Sequence, residues 1–372
     1  MKKINIIYIF IFSVMISLPL IFTDFTGGNV AEGENRMLAS FPSIVGEDGR
    51  YNSEFINQFE SWYGDNVGFR KEFISLSGAI QKQLFHNILW SDMKYGENNQ
   101  IYYVTDSIIV DYQHLNLLSK KQREQLVSSM QMANDYMKEK GIDFYYLQCL
   151  DKQTIYPEDF IAGVNQKGEV SRVDQIIDLL KEKTDVQVID LRQPLKQESK
   201  VNRVFDVQGD ASHWSQYGAF YSYLLEELEL QKQHSFRVIG VDEVTITKDD
   251  TNLDCGISVS LKEEYGEGAD LSVMGDWYPQ NSIAFRYTND YVKQNYGDTK
   301  VLLYGDSYTY EYLLQYYKES FSEVWFLESG HISTLDDVLK MYDPDIVILE
   351  NAERCMDWQK DTLMQLGDNL AK

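Results

Sequence analysis

Helical and strand-like hydrophobic patterns alternate through the middle of the chain. Residues 119–141 begin with a capping box and then repeat apolar side chains every three or four positions, which predicts a helix. The run 144–150 that follows is almost wholly apolar and aromatic, as expected for a strand covered on both faces. A helix at 171–183 and a strand at 186–190 repeat the scheme. This spacing predicts βαβ units and a mainly parallel sheet.

The same alternation returns near the C-terminus. Strands are predicted at 301–304, 324–327 and 345–349, with a helical pattern after each. The first of these strands stops at Gly305-Asp306-Ser307, so Ser307 is predicted at the carboxyl end of a buried strand, beside a helix N-terminus. Open α/β sheets bind ligands at such positions. The alternative is that Asp306, Ser307 or a neighbour only caps the helix.

Residues outside this alternation predict an anchor, a linker and an insertion. Residues 1–22 contain nineteen consecutive uncharged, largely apolar residues after two lysines, which predicts a membrane anchor, with a cleaved signal peptide as the alternative. The charge bias places the rest of the chain outside the cytoplasm. Residues 23–50 are typical of a linker, and 51–372 of the catalytic domain. Within that domain, about 234–298 is β-prone and turn-rich, which predicts a small insertion.

Two further short runs are predicted as strands ahead of the first long helix. They are residues 101–104 and 108–110, both rich in Ile, Val or Tyr.

Composition excludes several classes of protein. A chain of 372 residues with 44% hydrophobic and 13% aromatic residues is not disordered and can bury a large core. The formal charge of −24 argues against nucleic acid as a partner, because phosphate binding needs clustered Lys and Arg. The three cysteines show no CxxC spacing, so no disulfide framework or zinc site is predicted, and a single disulfide pairing is the alternative. No cofactor is predicted.

A nucleophilic serine needs a histidine as its base, and the base needs an acidic partner. The candidates are His86, His114, His213, His234 and His331. His213 stands in a polar loop that enters a helix, three residues after Asp210, so the carboxylate can accept from Nδ1–H while Nε2 faces Ser307. The alternative is that Asp210 or Ser212 caps the helix and His213 is a surface residue. His331 is the second candidate base.

Three blocks resemble the SGNH/GDSL hydrolase superfamily, and more closely its AlgX/AlgJ and DHHW-type branch of polysaccharide O-acetyltransferases. Residues 210–219 resemble the Asp-His-Trp-x-x-x-Gly-Ala block of that branch, 304–308 its Gly-Asp-Ser-Phe/Tyr block, and 343–354 its Pro-Asp-x-Val and Glu-Arg block. The histidine block precedes the serine block, as in that branch. Asp210 instead has the Asp-x-x-His spacing of ordinary SGNH enzymes, because Ala211 occupies the position two before the histidine.

The resemblance implies a three-layer α/β/α fold and an acetyl transfer through an acyl-serine. Asp210, His213 and Ser307 are the implied catalytic residues. The implied oxyanion donors are the Ser307 backbone, Gly330 and Asn351, and the implied substrate contacts are Trp214, Tyr308 and Arg354, although Arg354 could equally serve an ion pair.

The resemblance also implies the partners of the reaction. The acceptor is expected to be a hydroxyl of an exported or cell-wall polysaccharide, and a membrane-bound O-acyltransferase is expected to supply the acetyl group. Two alternatives remain open. One is a carbohydrate acetylesterase, with water as the acceptor, and the other is a non-catalytic polysaccharide assembly or binding protein on the same fold.

Overall fold

The computed structural model divides the chain into two compact units, Met1–Trp90 and Ser91–Lys372. It describes residues 2–25, 30–31, 36–46, 49–81, 88, 92–249, 251–270 and 282–370. The predicted boundaries after residues 22 and 50 stay predictions.

The first unit is mainly helical. Its described elements are α1 Lys2–Ile21, β1 Val30–Ala31, β2 Arg36–Met37, α2 Phe55–Asn66 and α3 Arg70–Ile80. Trp62 is its buried centre and packs against the rings of Phe25, Phe41 and Phe59. Across the parts of the chain that the structure describes, no helix combines the length and the apolarity that a bilayer crossing requires. The predicted N-terminal anchor is therefore not confirmed.

The second unit contains the α/β pattern that the sequence predicts. Its described strands are β3 Met93–Tyr95, β4 Ile101–Tyr103, β5 Asp143–Cys149, β6 Gln187–Ile189, β7 Val244–Lys248, β8 Ile257–Leu261, β9 Glu267–Asp270, β10 Ala284–Thr288, β11 Lys300–Gly305, β12 Glu323–Glu328 and β13 Ile346–Ala352. Its described α-helices are α4 Asp106–Tyr112, α5 Lys120–Glu139, α6 Lys152–Ile155, α7 Arg172–Lys183, α8 Arg192–Glu198, α9 Gln216–Leu230, α10 Asp290–Asn295, α11 Leu314–Ser320, α12 Leu335–Met341, α13 Met356–Leu363 and α14 Leu366–Leu370.

Seven strands form one central sheet in the order β6-β5-β13-β11-β12-β10-β9. The first five of these strands pair in parallel, whereas β10 and β9 join antiparallel at one edge. The mainly parallel α/β sheet is thus confirmed. The order places β11, the strand that leads to Ser307, between two parallel neighbours and therefore in the interior of the sheet.

Alternate residues of the central strands face two different cores, which gives three layers. Leu303 and Ile348 point into a core shared with α9, while Leu302 and Val347 point into a core shared with α5. Because neighbouring side chains on a strand face opposite sides, a strand covered by helices on both faces needs a continuous apolar run. That requirement explains the unbroken hydrophobicity of 301–304.

Two segments differ from their predictions. The predicted insertion at 234–298 is only partly separate, because β7 and β8 form their own hairpin while β9 and β10 extend the central sheet. The run 108–110 lies in helix α4 and not in a strand. Thr105 accepts a hydrogen bond from the Ile108 N–H, and this cap starts a helix that the β-branched residues then continue.

Two carboxyl groups of α9, Glu226 and Glu227, are fully buried. Burial raises the pKa of Glu226 to about 8, although the Tyr317 hydroxyl donates to this carboxyl and opposes the rise. The folded protein therefore retains a proton that the unfolded chain releases at its ordinary pKa of 4.5. The stability from this group is fully present below pH 4.5 and is lost as the pH rises through about 8.

We therefore expect the free energy of unfolding to fall between pH 5 and pH 8 and the variant Glu226→Gln to remove part of this fall, because an amide has no proton to release. Denaturant unfolding at both pH values measures the difference. Glu229→Gln, an exposed change on the same helix, should keep the wild-type slope. Parallel pH profiles for the wild type and Glu226→Gln would contradict the expectation.

Candidate active site

Ser307 lies at a sharp strand-to-helix junction. β11 ends at Gly305, Asp306 lies in neither strand nor helix, and helical backbone begins at Ser307. A Cβ on Gly305 would lie only 2.8 Å from the Glu350 carboxylate and from the Thr309 hydroxyl, so glycine is required at this turn. The helix continues through a π-helical segment, Thr309–Leu313, a distortion that is frequent at functional sites.

Asp306 stabilises this junction and caps the helix, so the Ser307 hydroxyl is not needed as a cap. One oxygen of the Asp306 carboxylate accepts from the Tyr308 N–H at 3.1 Å, and the other accepts from the Ala352 N–H at the end of β13 at 2.8 Å. The Asp306 N–H donates to the Glu350 carboxyl at 2.8 Å. Of the two interpretations of this motif, the capping role falls to Asp306, and the Ser307 hydroxyl points elsewhere.

In the loop that contains His213, too, the helix is capped by a residue other than the predicted catalytic ones. The Ser215 hydroxyl caps α9 by accepting from the Gly218 N–H at 3.1 Å, so neither Asp210 nor Ser212 is needed as the cap. Asp210 Oδ1 instead accepts from the backbone N–H groups of Ser212 and His213, both at 2.8 Å. These two bonds close a tight turn that directs the Asp210 carboxylate toward the imidazole ring.

Asp210, His213 and Ser307 form one continuous chain of hydrogen bonds. Asp210 Oδ2 lies 2.9 Å from His213 Nδ1, and His213 Nε2 lies 2.7 Å from Ser307 Oγ. Burial of Asp210 opposes its ionisation, but the hydrogen bonds that it accepts from the His213 ring and from the N–H groups of His213 and Ser212 hold the pKa of this carboxyl below its ordinary value. The Tyr312 hydroxyl, which the sequence did not single out, also donates to Asp210 Oδ2 at 3.2 Å. Asp210 is therefore an ionised acceptor for the ring.

Arg354 fixes the tautomer of the ring. Its Nη2 lies 2.9 Å from His213 Nε2, and because a guanidinium only donates, Nε2 must carry a lone pair. The ring proton is therefore on Nδ1, where Asp210 accepts it. Arg354 Nη1 donates to the Asp151 carboxylate at 3.1 Å, and the guanidinium stacks 4.8 Å from the centre of the Tyr308 ring. The predicted substrate contact of Arg354 stays a prediction, whereas its ion pair is present.

Two of the three predicted oxyanion donors, Ser307 and Gly330, line the cleft, whereas Asn351 does not. The Ser307 N–H is at the start of a helix, where N–H groups have no partner within the helix, and Gly330 lines the same cleft as Ser307. Asn351 is 1% exposed, and its carbonyl accepts from Gln148 Nε2 at 2.6 Å. Because β13 continues to Ala352 and not to the predicted residue 349, Asn351 lies inside the sheet and away from the cleft.

Two predicted substrate contacts are interior residues. Trp214 and Tyr308 are both 0% exposed, and their rings pack edge to face at 4.9 Å. The Tyr308 hydroxyl donates to the Ser212 carbonyl at 2.6 Å and so supports the histidine loop from beneath. Because both side chains are fully buried, neither can touch a substrate in this structure.

The other histidines have partners outside this group. His331 Nε2 lies 2.7 Å from the Ser282 hydroxyl, although His331 lines the cleft beside Ser307. The His114 ring contacts a backbone carbonyl, and the His234 ring contacts the Asp143 carboxylate. His86 lies outside the described residues.

A cleft of about 390 Å³ opens next to the serine. Its lining residues are Gly305, Asp306, Ser307, Tyr310, Glu328, Ser329, Gly330, His331 and Trp358. Among the described residues, no group of His, Cys, Asp and Glu side chains is arranged to hold a metal ion.

One family model and several solved structures match this chain. A family model described as SGNH hydrolase-like domain, acetyltransferase AlgX, matches residues 110–331, which include all three residues of the hydrogen-bonded chain. The structure of Bacillus cereus PatB1 with a sulfonyl adduct is 13% identical, covers 73% of this chain and 96% of its own, and gives a TM-score of 0.53. The O-acetyltransferase domain of Pseudomonas putida AlgJ is 14% identical, with coverages of 74% and 98% and a TM-score of 0.43.

At this identity, the likeness to PatB1 shows the fold alone. A sequence comparison with curated proteins gives no match.

Proposed function

Because the chain belongs to the AlgX family of SGNH hydrolase-like domains, we propose that it is an O-acetyltransferase that modifies an exported or cell-wall polysaccharide. The observation that carries the proposal is the hydrogen-bonded chain from Asp210 through His213 to Ser307. A serine, a histidine whose Nε2 lone pair faces the serine hydroxyl and an ionised carboxylate are what nucleophilic acyl transfer requires.

The first half of the proposed reaction loads the enzyme. Ser307 Oγ attacks the carbonyl carbon of the acetyl donor while His213 Nε2 takes the hydroxyl proton. The Ser307 N–H and the Gly330 N–H are the proposed donors to the negative oxygen. As the tetrahedral intermediate collapses, His213 returns the proton to the leaving group, and an acetyl-serine remains.

The second half moves the acetyl group to the acceptor. A polysaccharide hydroxyl attacks the acetyl-serine carbonyl, gives its proton to His213 Nε2 and leaves as an acetyl ester. The same proton then restores the Ser307 hydroxyl. Asp210 remains ionised throughout and stabilises the imidazolium that forms in each half.

The cellular setting is part of the proposal. The nineteen uncharged residues after Lys3 support anchoring at the bacterial cytoplasmic membrane with the catalytic unit outside, or secretion if the segment is cleaved. There, a membrane-bound O-acyltransferase is the proposed source of acetyl groups. Digestion of the catalytic unit by protease added to intact spheroplasts supports this orientation, and full protection would contradict it.

The experiment that tests transfer measures whether the acetyl group passes to water, as acetate, or to a glycan. The purified full-length chain is given an activated acetyl ester with and without a soluble glycan, and both free acetate and acetylated glycan are measured. We expect acetylated glycan to form at the expense of acetate, because the sugar hydroxyl competes with water for the acetyl-serine. Acetate release that added glycan does not change would instead establish the esterase.

A further inference from the structure

We propose that the cleft beside Ser307 is the acceptor site and that it selects glycans without carboxylates, built from neutral or amino sugars. This inference rests on the proposed acetyl transfer and adds the chemical class of its acceptor. Three side chains carry it: the carboxylate of Glu328, the indole of Trp358 and the phenol ring of Tyr310, all of which line the cleft.

The charge of the cleft is one-sided. Among the described residues, its lining contains the carboxylates of Asp306 and Glu328, the imidazole of His331 at 3.8 Å from Glu328 Oε2, and no Lys or Arg. The guanidinium at this site, on Arg354, is already engaged by Asp151 and His213. The chain as a whole has a formal charge of −24, so its long-range field adds to the local one.

This charge discriminates between acceptors. A polyuronate has a carboxylate on every sugar, and each one entering the cleft meets like charge at short range, with no Lys or Arg among the described residues that line it. Neutral sugars present only hydroxyls, which donate to carboxylates such as Glu328. The ammonium group of an amino sugar is attracted by the same oxygens.

Two aromatic side chains provide the apolar part of the site. Trp358 is 49% exposed, and its indole lies 3.8 Å from the position that a Cβ on Gly330 would take. Tyr310 is half-buried and is held by an edge-to-face contact with Phe326, with ring centres 5.9 Å apart. An exposed indole face next to a polar cleft matches the apolar face of a sugar ring, whose hydroxyls then point toward the carboxylates.

A purely structural role is the competing interpretation. Glu328 accepts from the Ile283 N–H at 3.0 Å and so fixes the end of β12, and Trp358 covers Gly330. The decisive variant therefore keeps the structural bond and changes only the charge. Glu328→Gln does this, because the amide oxygen can still accept from the Ile283 N–H.

The experiment compares three acceptors of similar length: cellopentaose, a chitosan pentamer and a galacturonate pentamer. With the full chain and a fixed concentration of activated acetyl ester, we expect transfer to the first two to exceed transfer to the galacturonate pentamer at least about tenfold. Glu328→Gln should lower the ratio of transfer to these two pentamers over transfer to the galacturonate pentamer several-fold. Added salt should do the same, because it screens the repulsion. Trp358→Ala should raise the KM for cellopentaose about tenfold. Glu182→Gln, an exposed change on α7, should keep the wild-type ratio.

The outcomes distinguish failure of the proposed acceptor class from failure of the proposed acetyl transfer. Equal transfer to all three acceptors, or an acetyl-serine that neither neutral nor amino-sugar pentamer discharges, would overturn the acceptor class and leave the acyl-serine chemistry standing. If neither Glu328→Gln nor salt changes the ratio of transfer between the acceptors, charge in the cleft is not the cause of the selectivity, and the proposal is wrong on that point. Transfer that survives Ser307→Ala would instead refute the proposed function itself.

Discussion

Replacing Ser307 with alanine should lower kcat/KM for acetyl transfer by at least about 10⁴-fold, because it removes the hydroxyl that lies 2.7 Å from His213 Nε2 and is proposed to form the acyl intermediate. The wild-type chain, stopped with acid during turnover, should contain one acetyl group on the peptide that includes Ser307. The variant should not. Rate measurement with an activated ester and mass spectrometry of the digested protein check both parts.

The matched control is Ser260→Ala, since Ser260 is an exposed serine on β8. It should keep both the rate and the acetylated peptide. Thermal unfolding of the two variants shows that neither has lost its fold. A Ser307→Ala protein with wild-type activity would establish the non-catalytic alternative, in which this fold only binds or assembles polysaccharide.

Asp210→Asn should have the next largest effect, a loss of about 10³- to 10⁴-fold in kcat. The amide oxygen can keep the place of Oδ1 and still accept from the N–H groups of Ser212 and His213, so the loop is preserved. The amide nitrogen then replaces Oδ2 and donates to His213 Nδ1. The ring proton is forced onto Nε2, where it faces the Ser307 hydroxyl and the Arg354 guanidinium, and the base is lost.

This reasoning predicts which parameter changes. The KM for the activated ester should stay within about threefold of wild type, because Asp210 is not among the residues that line the cleft, while kcat falls. Asp249→Asn, an exposed carboxylate change, is the control and should leave both parameters unchanged. Near-normal turnover in Asp210→Asn would mean that another group, and not Asp210, orients the histidine.

The position of Arg354 explains why the tautomer matters so much here. Ser307 and Arg354 both approach the one lone pair of His213 Nε2, at 2.7 and 2.9 Å. The guanidinium therefore favours the tautomer of His213 that has its proton on Nδ1. The Asp151 carboxylate, 3% exposed at its side chain, holds the guanidinium in this place.

Local patterns in the sequence predicted the elements that are set by near neighbours. Continuous apolar runs and runs with a period of about 3.6 residues gave the βα alternation, and the predicted capping box at Ser119 is present in the structure. Asp210, His213 and Ser307 could also be chosen, because a loop histidine with an acid three residues away and a serine after a buried strand are local features. Their catalytic roles stay predictions until they are tested.

Tertiary structure decided everything that depends on how distant segments align. The length of β13 is set by its pairing with β5, and this pairing buries Asn351. Trp214 and Tyr308 are interior because the histidine loop is packed over them. The meeting of His213 with Ser307, 94 positions away, depends on strand register and loop docking, which no window of neighbouring residues encodes. The sequence by itself therefore determined which groups are available for catalysis, and only the tertiary structure decided which of them meet.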